Sequence, residues 1–137
     1  MLAVSHLAFL MRRPVGHLAS ADCRGVPHLV PVCFAVGEGT LYTAIDEKPK
    51  SGRELKRLKN IRENPRVAFL ADRYDEDWSR LGWLRLDGTA EILSEGEEFD
   101  RAAQQLADRY SQYRRMKFAC IIAIRIAGVR SWGNLEP

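Results

Sequence analysis

The residues best placed to do chemistry in this chain are cations. The stretch KPKSGRELKRLKNIRENPRV, Lys48 to Val67, holds eight of the 21 basic residues: Lys48, Lys50, Arg53, Lys56, Arg57, Lys59, Arg62 and Arg66. Only Glu54 and Glu63 oppose them, so the stretch carries +6 while the rest of the chain carries −3. Ser51 and Glu54 have the spacing of a capping box, which predicts a helix starting at Gly52. The first turn of such a helix offers free backbone N–H groups and the positive end of its dipole. With Lys48 and Lys50 just upstream and Lys56 and Arg57 one turn in, it suits a phosphate. The competing reading is a solvated basic face. Nucleic-acid binding would require aromatic residues among the cations for stacking, or a helix free to enter a groove. No aromatic residue lies between Lys48 and Arg66.

Other catalytic constellations are missing from the sequence. It contains no G-x-S-x-G elbow, no Walker-type loop and no G-x-G-x-x-G. His6 reads as a surface or packing residue. His17 and His28 fall on adjacent predicted strands where they could approach each other, but such a pair is more often structural than metal-binding. Asp75, Glu76 and Asp77 sit together in a polar loop and read as solvated. A chain so poor in acids, bases and nucleophiles either binds without reacting or lets a cofactor carry the chemistry. No catalytic residue is assigned, and no metal site.

The 137 residues predict one domain spanning 1–137. The three cysteines, Cys23, Cys33 and Cys120, form no C-x-x-C pair, which points to a reducing cytoplasm. The apolar opening Leu2 to Met11 has its positive charges after it, at Arg12 and Arg13, the reverse of a signal peptide. No stretch reaches the roughly 18 apolar residues of a membrane span.

The elements that would position the cations follow from periodicity and turn residues. Residues 1–13 predict a helix with Val4, Leu7, Ala8 and Met11 on one side, stopped by Pro14. Strands are expected at Val15–Ala21, His28–Val36 and Thr40–Ile45, joined by the turns Asp22–Gly25 and Gly37–Gly39 into an antiparallel meander. Pro31 places the second of these at an edge or a bulge. The basic helix, 52–63, carries an apolar stripe of Leu55, Leu58 and Ile61 and stops at Asn64-Pro65. A strand at Arg66–Asp72 follows, then a long strand from about Trp78 to Leu93, bent at Gly82 or Gly88. Ser94 and Glu97 repeat the capping-box spacing and open a helix at 95–110, with Phe99, Ala102, Ala103, Leu106 and Tyr110 on its buried face. Ala119–Ile126 is a last core strand, and Val129–Trp132 leads out. The fold class is mainly β with inserted helices (α+β), six or seven short antiparallel strands favouring a small barrel.

The order of these elements carries a resemblance. Pro27-His28-Leu29-Val30-Pro31-Val32, then Leu41-Tyr42-Thr43, then Arg57-Leu58-Lys59-Asn60-Ile61-Arg62-Glu63-Asn64-Pro65-Arg66-Val67, is similar to the pyridoxamine 5′-phosphate oxidase-like split β-barrel superfamily, in its flavin/deazaflavin oxidoreductase branch. Asp46-Glu47-Lys48-Pro49-Lys50 and Tyr74-Asp75-Glu76-Asp77-Trp78-Ser79-Arg80-Leu81 resemble its F-420-dependent subgroup. The resemblance implies a homodimer with symmetric sites for FMN or coenzyme F-420 (F420) at the subunit interface. Basic and hydroxyl residues around the inserted helix, Lys50, Ser51, Lys56 and Arg57, would hold the cofactor phosphate. The family pattern has lysine where this chain has Arg57. Pro31, Val32, Thr43 and Ala44 would lie beside the ring, and Trp83, Arg85 and Trp132 would line the rest of the pocket, from the other subunit. The implied reaction is hydride transfer between the ring and a small conjugated or quinone-like substrate, with the protein supplying orientation and exclusion of water. The alternative is a non-catalytic flavin, F-420 or haem carrier on the same fold, with His17 or His28 as axial ligand. Nucleic acid and membrane are not expected partners.

Overall fold

The computed structural model describes residues 2–46 and 54–137. Helix α1 (Val4–Met11) leads to strands β1 (Gly16–Ala21), β2 (Pro27–Val32), β3 (Ala35–Gly37) and β4 (Thr40–Ile45). Helix α2 (Lys56–Glu63) precedes β5 (Arg66–Arg73) and β6 (Gly82–Leu93); α3 (Glu97–Arg109) precedes β7 (Cys120–Gly133). Short 3-10 turns occupy Trp78–Arg80 and Ser111–Arg115.

The seven strands form one antiparallel sheet in the order β2-β1-β5-β6-β7-β4-β3. β2 and β3 are consecutive in the chain yet occupy opposite edges. Flat, those edges would stand about 29 Å apart at 4.8 Å per strand. The chain from Val32 to Ala35 can span only about 11 Å. The sheet therefore curls until its edges meet, which makes it a barrel split between β2 and β3. The expected meander is corrected accordingly. β1–β2 and β3–β4 are hairpins, but the predicted His28–Val36 strand breaks at Cys33-Phe34, because Phe34 turns fully into the core. Pro31 does lie on an edge strand, where its missing N–H costs no ladder bond.

Two layers of side chains hold this shape. The barrel interior contains Leu18, Val32, Phe34, Leu41, Ile45, Phe69, Leu84, Leu86, Ile122 and Ile124. Each fully buried Leu, Ile or Phe contributes about 1.5–3 kcal/mol relative to exposure. Phe9 and Leu10 of α1 close the end where β1 begins, and Leu58 and Ile61 of α2 close the end where it finishes. A second layer, Tyr42, Ala44, Ile121 and Ala123, packs under Ala102 and Leu106 of α3. The bend expected near Gly88 is a β-bulge between Asp87 and Gly88. A Cβ on Gly88 would lie 2.3 Å from the Arg125 carbonyl oxygen.

Helix ends depart from expectation. α1 is shorter than 1–13 and turns Phe9 and Leu10 inward, leaving Val4 and Met11 exposed. α2 begins at Lys56 behind an extended Leu55 rather than at residue 52, and Glu54 ion-pairs with Arg62 instead of capping the helix. Ser51 lies outside the described residues. The Ser94–Glu97 box does not form, because Gly96 takes a positive φ of 104° as the N-cap. Glu97, Glu98 and Asp100 offset the dipole of α3 instead. The last core strand does not stop at Ile126: it continues through Val129–Trp132 as one strand, β7.

The closure is tied by α3. The Arg109 guanidinium donates to the carbonyls of Phe34 (2.8 Å), Leu10 (3.1 Å) and Arg13 while stacking over Phe34. The Tyr110 hydroxyl accepts from the Phe34 N–H at 3.0 Å and donates toward Pro14 O at 2.8 Å.

Candidate functional site

Arg57 stands in the first turn of α2, half-buried, with its Nε shielded from solvent and without a hydrogen-bond partner among the described residues. Among the described residues it has no carboxylate within ion-pair distance. Burial pulls its pKa down, and the Asp46 carboxylate beyond the end of β4 pushes it back up. The same surroundings include Cys120, at the start of β7, and Tyr113, in the turn after α3. Tyr113 is pushed up to about 12 by burial first and by the Cys33 thiol second, so its hydroxyl is a donor at any ordinary pH. Burial also raises the Cys120 thiol. A partly desolvated guanidinium with an unmatched N–H is suited to an anion such as phosphate.

α2 is fixed by bonds on its far side. Asn60 is fully buried and donates through Nδ2 to Ser20 Oγ at 3.1 Å. Glu63 accepts from the Cys23 N–H at 3.1 Å. Lys56 Nζ lies 3.7 Å from Asp22, whose carboxylate also caps the N–H groups of Arg24 and Val26 in the β1–β2 turn. Lys56 is thus engaged on the turn side of the helix. Lys50 and Ser51, expected beside Arg57, lie outside the described residues.

The ring-side residues separate by face. Val32 and Thr43 point into the barrel, Ala44 lies under α3, and Pro31 is exposed on the outer face of β2. Pro31 shares that outer face with Trp83, Arg85 and Trp132: one row across the sheet reads Pro31, His17, Leu70, Arg85, Arg130, and the next Asp72, Trp83, Trp132. α3 covers β3, β4 and the first half of β7, whereas this part of the sheet shows Leu29 (66% exposed), Leu70 (36%) and Trp132 (54%) to solvent. His17 and His28 do not approach each other. They sit opposite Pro31 and Ser20, three positions apart, and so fall on opposite faces. His6 accepts the Ala3 N–H at 3.0 Å and serves α1.

The sequence reading missed Cys33, Asp46, Tyr113 and Cys120. They come from four separate segments; the closed barrel brings Asp46, Tyr113 and Cys120 near Arg57, and Cys33 to Tyr113. It also missed a polar cleft of about 560 Å³ against α3, lined by Tyr42, Glu98, Arg101 and Arg125 among others. There Glu98 accepts from both Arg125 and, at 2.7 Å, Tyr42, and is held down to about 2, by Arg125 first. Such a carboxylate is a structural anion rather than a proton carrier. A cleft of about 440 Å³ lies between α3 and the turn after it. Neither cleft is lined by an expected site residue. Among the described residues no helix is long and apolar enough to cross a membrane, and no group of three His, Cys, Asp or Glu side chains is placed to hold a metal.

Comparison with known proteins agrees with the architecture. A 5a,11a-dehydrotetracycline/5a,11a-dehydrooxytetracycline reductase of Streptomyces rimosus is 30% identical over 93 residues, 66% of this chain and 63% of that protein, so less than two-thirds of the relative's length is matched. An FAD-binding protein of Mesorhizobium loti superposes with a TM-score of 0.68 at 23% identity, over 96% of this chain and 92% of that one. The haem storage protein HutZ of Vibrio cholerae superposes with a TM-score of 0.70 at 16% identity, over 89% and 88% of the two chains. At these identities the superpositions establish the fold alone. The family model for pyridoxamine 5′-phosphate oxidase matches residues 4–133, nearly the whole chain, and the protein belongs to that family.

Proposed function

We propose that this protein is an oxidoreductase that binds FMN or coenzyme F-420 through its phosphate at α2 and passes a hydride between the ring and a small conjugated or quinone-like substrate. One observation carries the reading. Arg57 is a half-buried guanidinium whose shielded Nε has no hydrogen-bond partner among the described residues. A native structure seldom leaves such a group without a partner, and a phosphate supplies one. Lysine at this position would offer a point charge, whereas arginine offers a planar fork that can grip two phosphate oxygens.

When bound, the ring supplies the redox chemistry, and the chain needs no nucleophile of its own. Arg57 and Tyr113 would hold the phosphate end, with Lys50 and Ser51 as the neighbouring candidates. Pro31, Val32, Thr43 and Ala44 would flank the ring through backbone or side chain. The uncovered face around Leu29, Ala19, Ala68 and Leu70 would seat a second copy, whose Trp83, Arg85 and Trp132 would complete the pocket and exclude water. Three free thiols suit a reducing cytoplasm. The kinship to the 5a,11a-dehydrotetracycline/5a,11a-dehydrooxytetracycline reductase supports a reductive role.

The test is direct. The absorption spectrum of the protein as purified, followed by titration of FMN and F-420, identifies the cofactor, and oxidation of the reduced cofactor by an enone or quinone identifies the activity. Binding without turnover would leave a carrier.

A haem carrier is the second reading. His28 Nδ1 is shielded and without a partner, and HutZ shares the fold. It requires a Soret band on haem reconstitution that disappears in His28→Ala or His17→Ala.

A further inference from the structure

The polar cleft of about 560 Å³ beside α3 lies apart from the proposed cofactor site. β4 separates the two. The cleft opens at Thr40, where the strand starts, and Asp46, in the surroundings of Arg57, follows its last residue. That run is about 20 Å at 3.3 Å per residue. One wall is α3, whose Glu98, Arg101 and Gln105 are spaced by three and four residues and so share a face. The other wall is the β3–β4 hairpin, Gly37 to Thr40, with Tyr42 and Arg125 at the floor.

Part of this lining is already satisfied. Arg125 holds Glu98 through both carboxylate oxygens and reaches Glu91 at 2.8 Å and Thr40 Oγ1 at 3.4 Å. Tyr42 donates to Glu98 at 2.7 Å. Three groups are left over. Glu38 on the hairpin and Arg101 on α3 have no opposite charge within ion-pair distance among the described residues. Gln105 Oε1 is shielded from solvent and has no hydrogen-bond partner among them, whereas the neighbouring Gln104 amide donates to Asp108 at 2.8 Å. The Gln105 amide lies against the hairpin: a Cβ on Gly37 would stand 3.6 Å from its oxygen and 3.7 Å from its nitrogen. Turning that amide into the cleft breaks no bond to its oxygen.

The charged groups that line the cleft cancel, Glu38 and Glu98 against Arg101 and Arg125. Glu91, the further carboxylate on Arg125, is exposed. Such a lining suits an occupant of no net charge, and the two unpaired groups suit one whose charges are separated. A guanidinium fork matches a carboxylate. An ammonium group has three donors, enough for a carboxylate and an amide oxygen together.

We propose that this cleft binds a free α-amino acid, with its carboxylate on Arg101 and its ammonium group shared by Glu38 and Gln105 Oε1. The site makes no use of the cofactor, and its test fails independently of the oxidoreductase reading.

The experiment is a thermal-melt screen of the proteinogenic amino acids against the full chain, followed by calorimetric titration of the one that raises Tm most. One molecule per chain is expected, with Kd raised at least about tenfold by Arg101→Gln and by Gln105→Met. Blocking either charge of that amino acid, as its N-acetyl derivative or its carboxamide, should weaken binding to a similar extent. Gln105→Met removes an oxygen that lacks a partner in the free protein, so without ligand this variant should melt no lower than wild type. Lost binding in it is then not a folding defect. FMN and F-420 titrations of Arg101→Gln should match wild type. Failure of every amino acid to raise Tm, or unchanged affinity in both Arg101→Gln and Gln105→Met, overturns the site. Equal binding of the N-acetyl derivative or the carboxamide overturns the assignment to an amino acid, and weakened cofactor binding in Arg101→Gln overturns the separation from the cofactor site.

Discussion

Removing one oxygen atom from the seam of the barrel should have a measurable cost. Tyr110→Phe keeps the ring that packs beside Tyr113 at 5.6 Å and deletes only the hydroxyl. The Phe34 N–H then loses its acceptor at 3.0 Å, and Pro14 O loses its donor at 2.8 Å. Phe34 is fully buried, so water does not readily replace the lost acceptor. An unsatisfied buried donor costs about 1–3 kcal/mol. The Phe34 carbonyl keeps its bond from Arg109 at 2.8 Å, which argues for the middle of that range, about 2 kcal/mol. For 137 residues at about 2.1 cal/mol/K each, the unfolding entropy near Tm is about 0.29 kcal/mol/K, so Tm should fall by about 7 °C. Urea unfolding and thermal melts at one fixed protein concentration measure both quantities, since subunit association would otherwise shift Tm. Burial raises the Tyr110 hydroxyl above its usual range, so the difference should hold from pH 6 to pH 9. A loss under about 0.5 kcal/mol would refute the claim that this hydroxyl holds the β2–β3 crossover.

Three further outcomes follow from other contacts. Gly88→Ala should destabilise by more than the roughly 1–3 kcal/mol of ordinary overpacking, because its Cβ meets backbone at 2.3 Å rather than a mobile side chain; an unchanged urea midpoint would contradict the bulge geometry. Glu98 is held down to about 2 from 4.5, so its share of stability is present above its unfolded pKa and is lost as pH falls from about 4.5 towards 2. Glu98→Gln should therefore flatten the acid limb of the stability profile in that window, and an identical acid limb would remove Glu98 from the account. Leu70→Glu, on the uncovered face, should shift the protein toward monomer in sedimentation velocity without loss of secondary structure, and a variant that sediments like wild type would place the subunit contact elsewhere.

Much of the fold was legible because its signals are local. Turn residues and alternation located the hairpins, Pro31 narrowed its strand to an edge or a bulge, and Gly82 and Gly88 were the two places offered for the bend, which falls at Gly88. The capping boxes misled, because Glu54 pairs with Arg62 on the helix and Gly96, not Ser94, takes the N-cap of α3, which no three-residue spacing reveals. The meander failed for a related reason. Short loops dictate antiparallel pairing within each hairpin but do not say that β2 and β3 lie at opposite edges of a closed sheet. At the candidate site, Arg57 was readable as part of a contiguous cluster. Tyr113, Asp46, Cys33 and Cys120 were not, since their proximity arises only from closure.

The central claim is that Arg57 receives a cofactor phosphate. Fluorescence titration of FMN and F-420 into wild type and Arg57→Ala tests it most directly. Wild type should bind one cofactor with micromolar or tighter affinity, weakened in the variant by about 1.5–3 kcal/mol, the range for a hydrogen bond to a charged group and roughly ten- to hundredfold in Kd. Binding of neither cofactor, or equal affinity in wild type and Arg57→Ala, would contradict it.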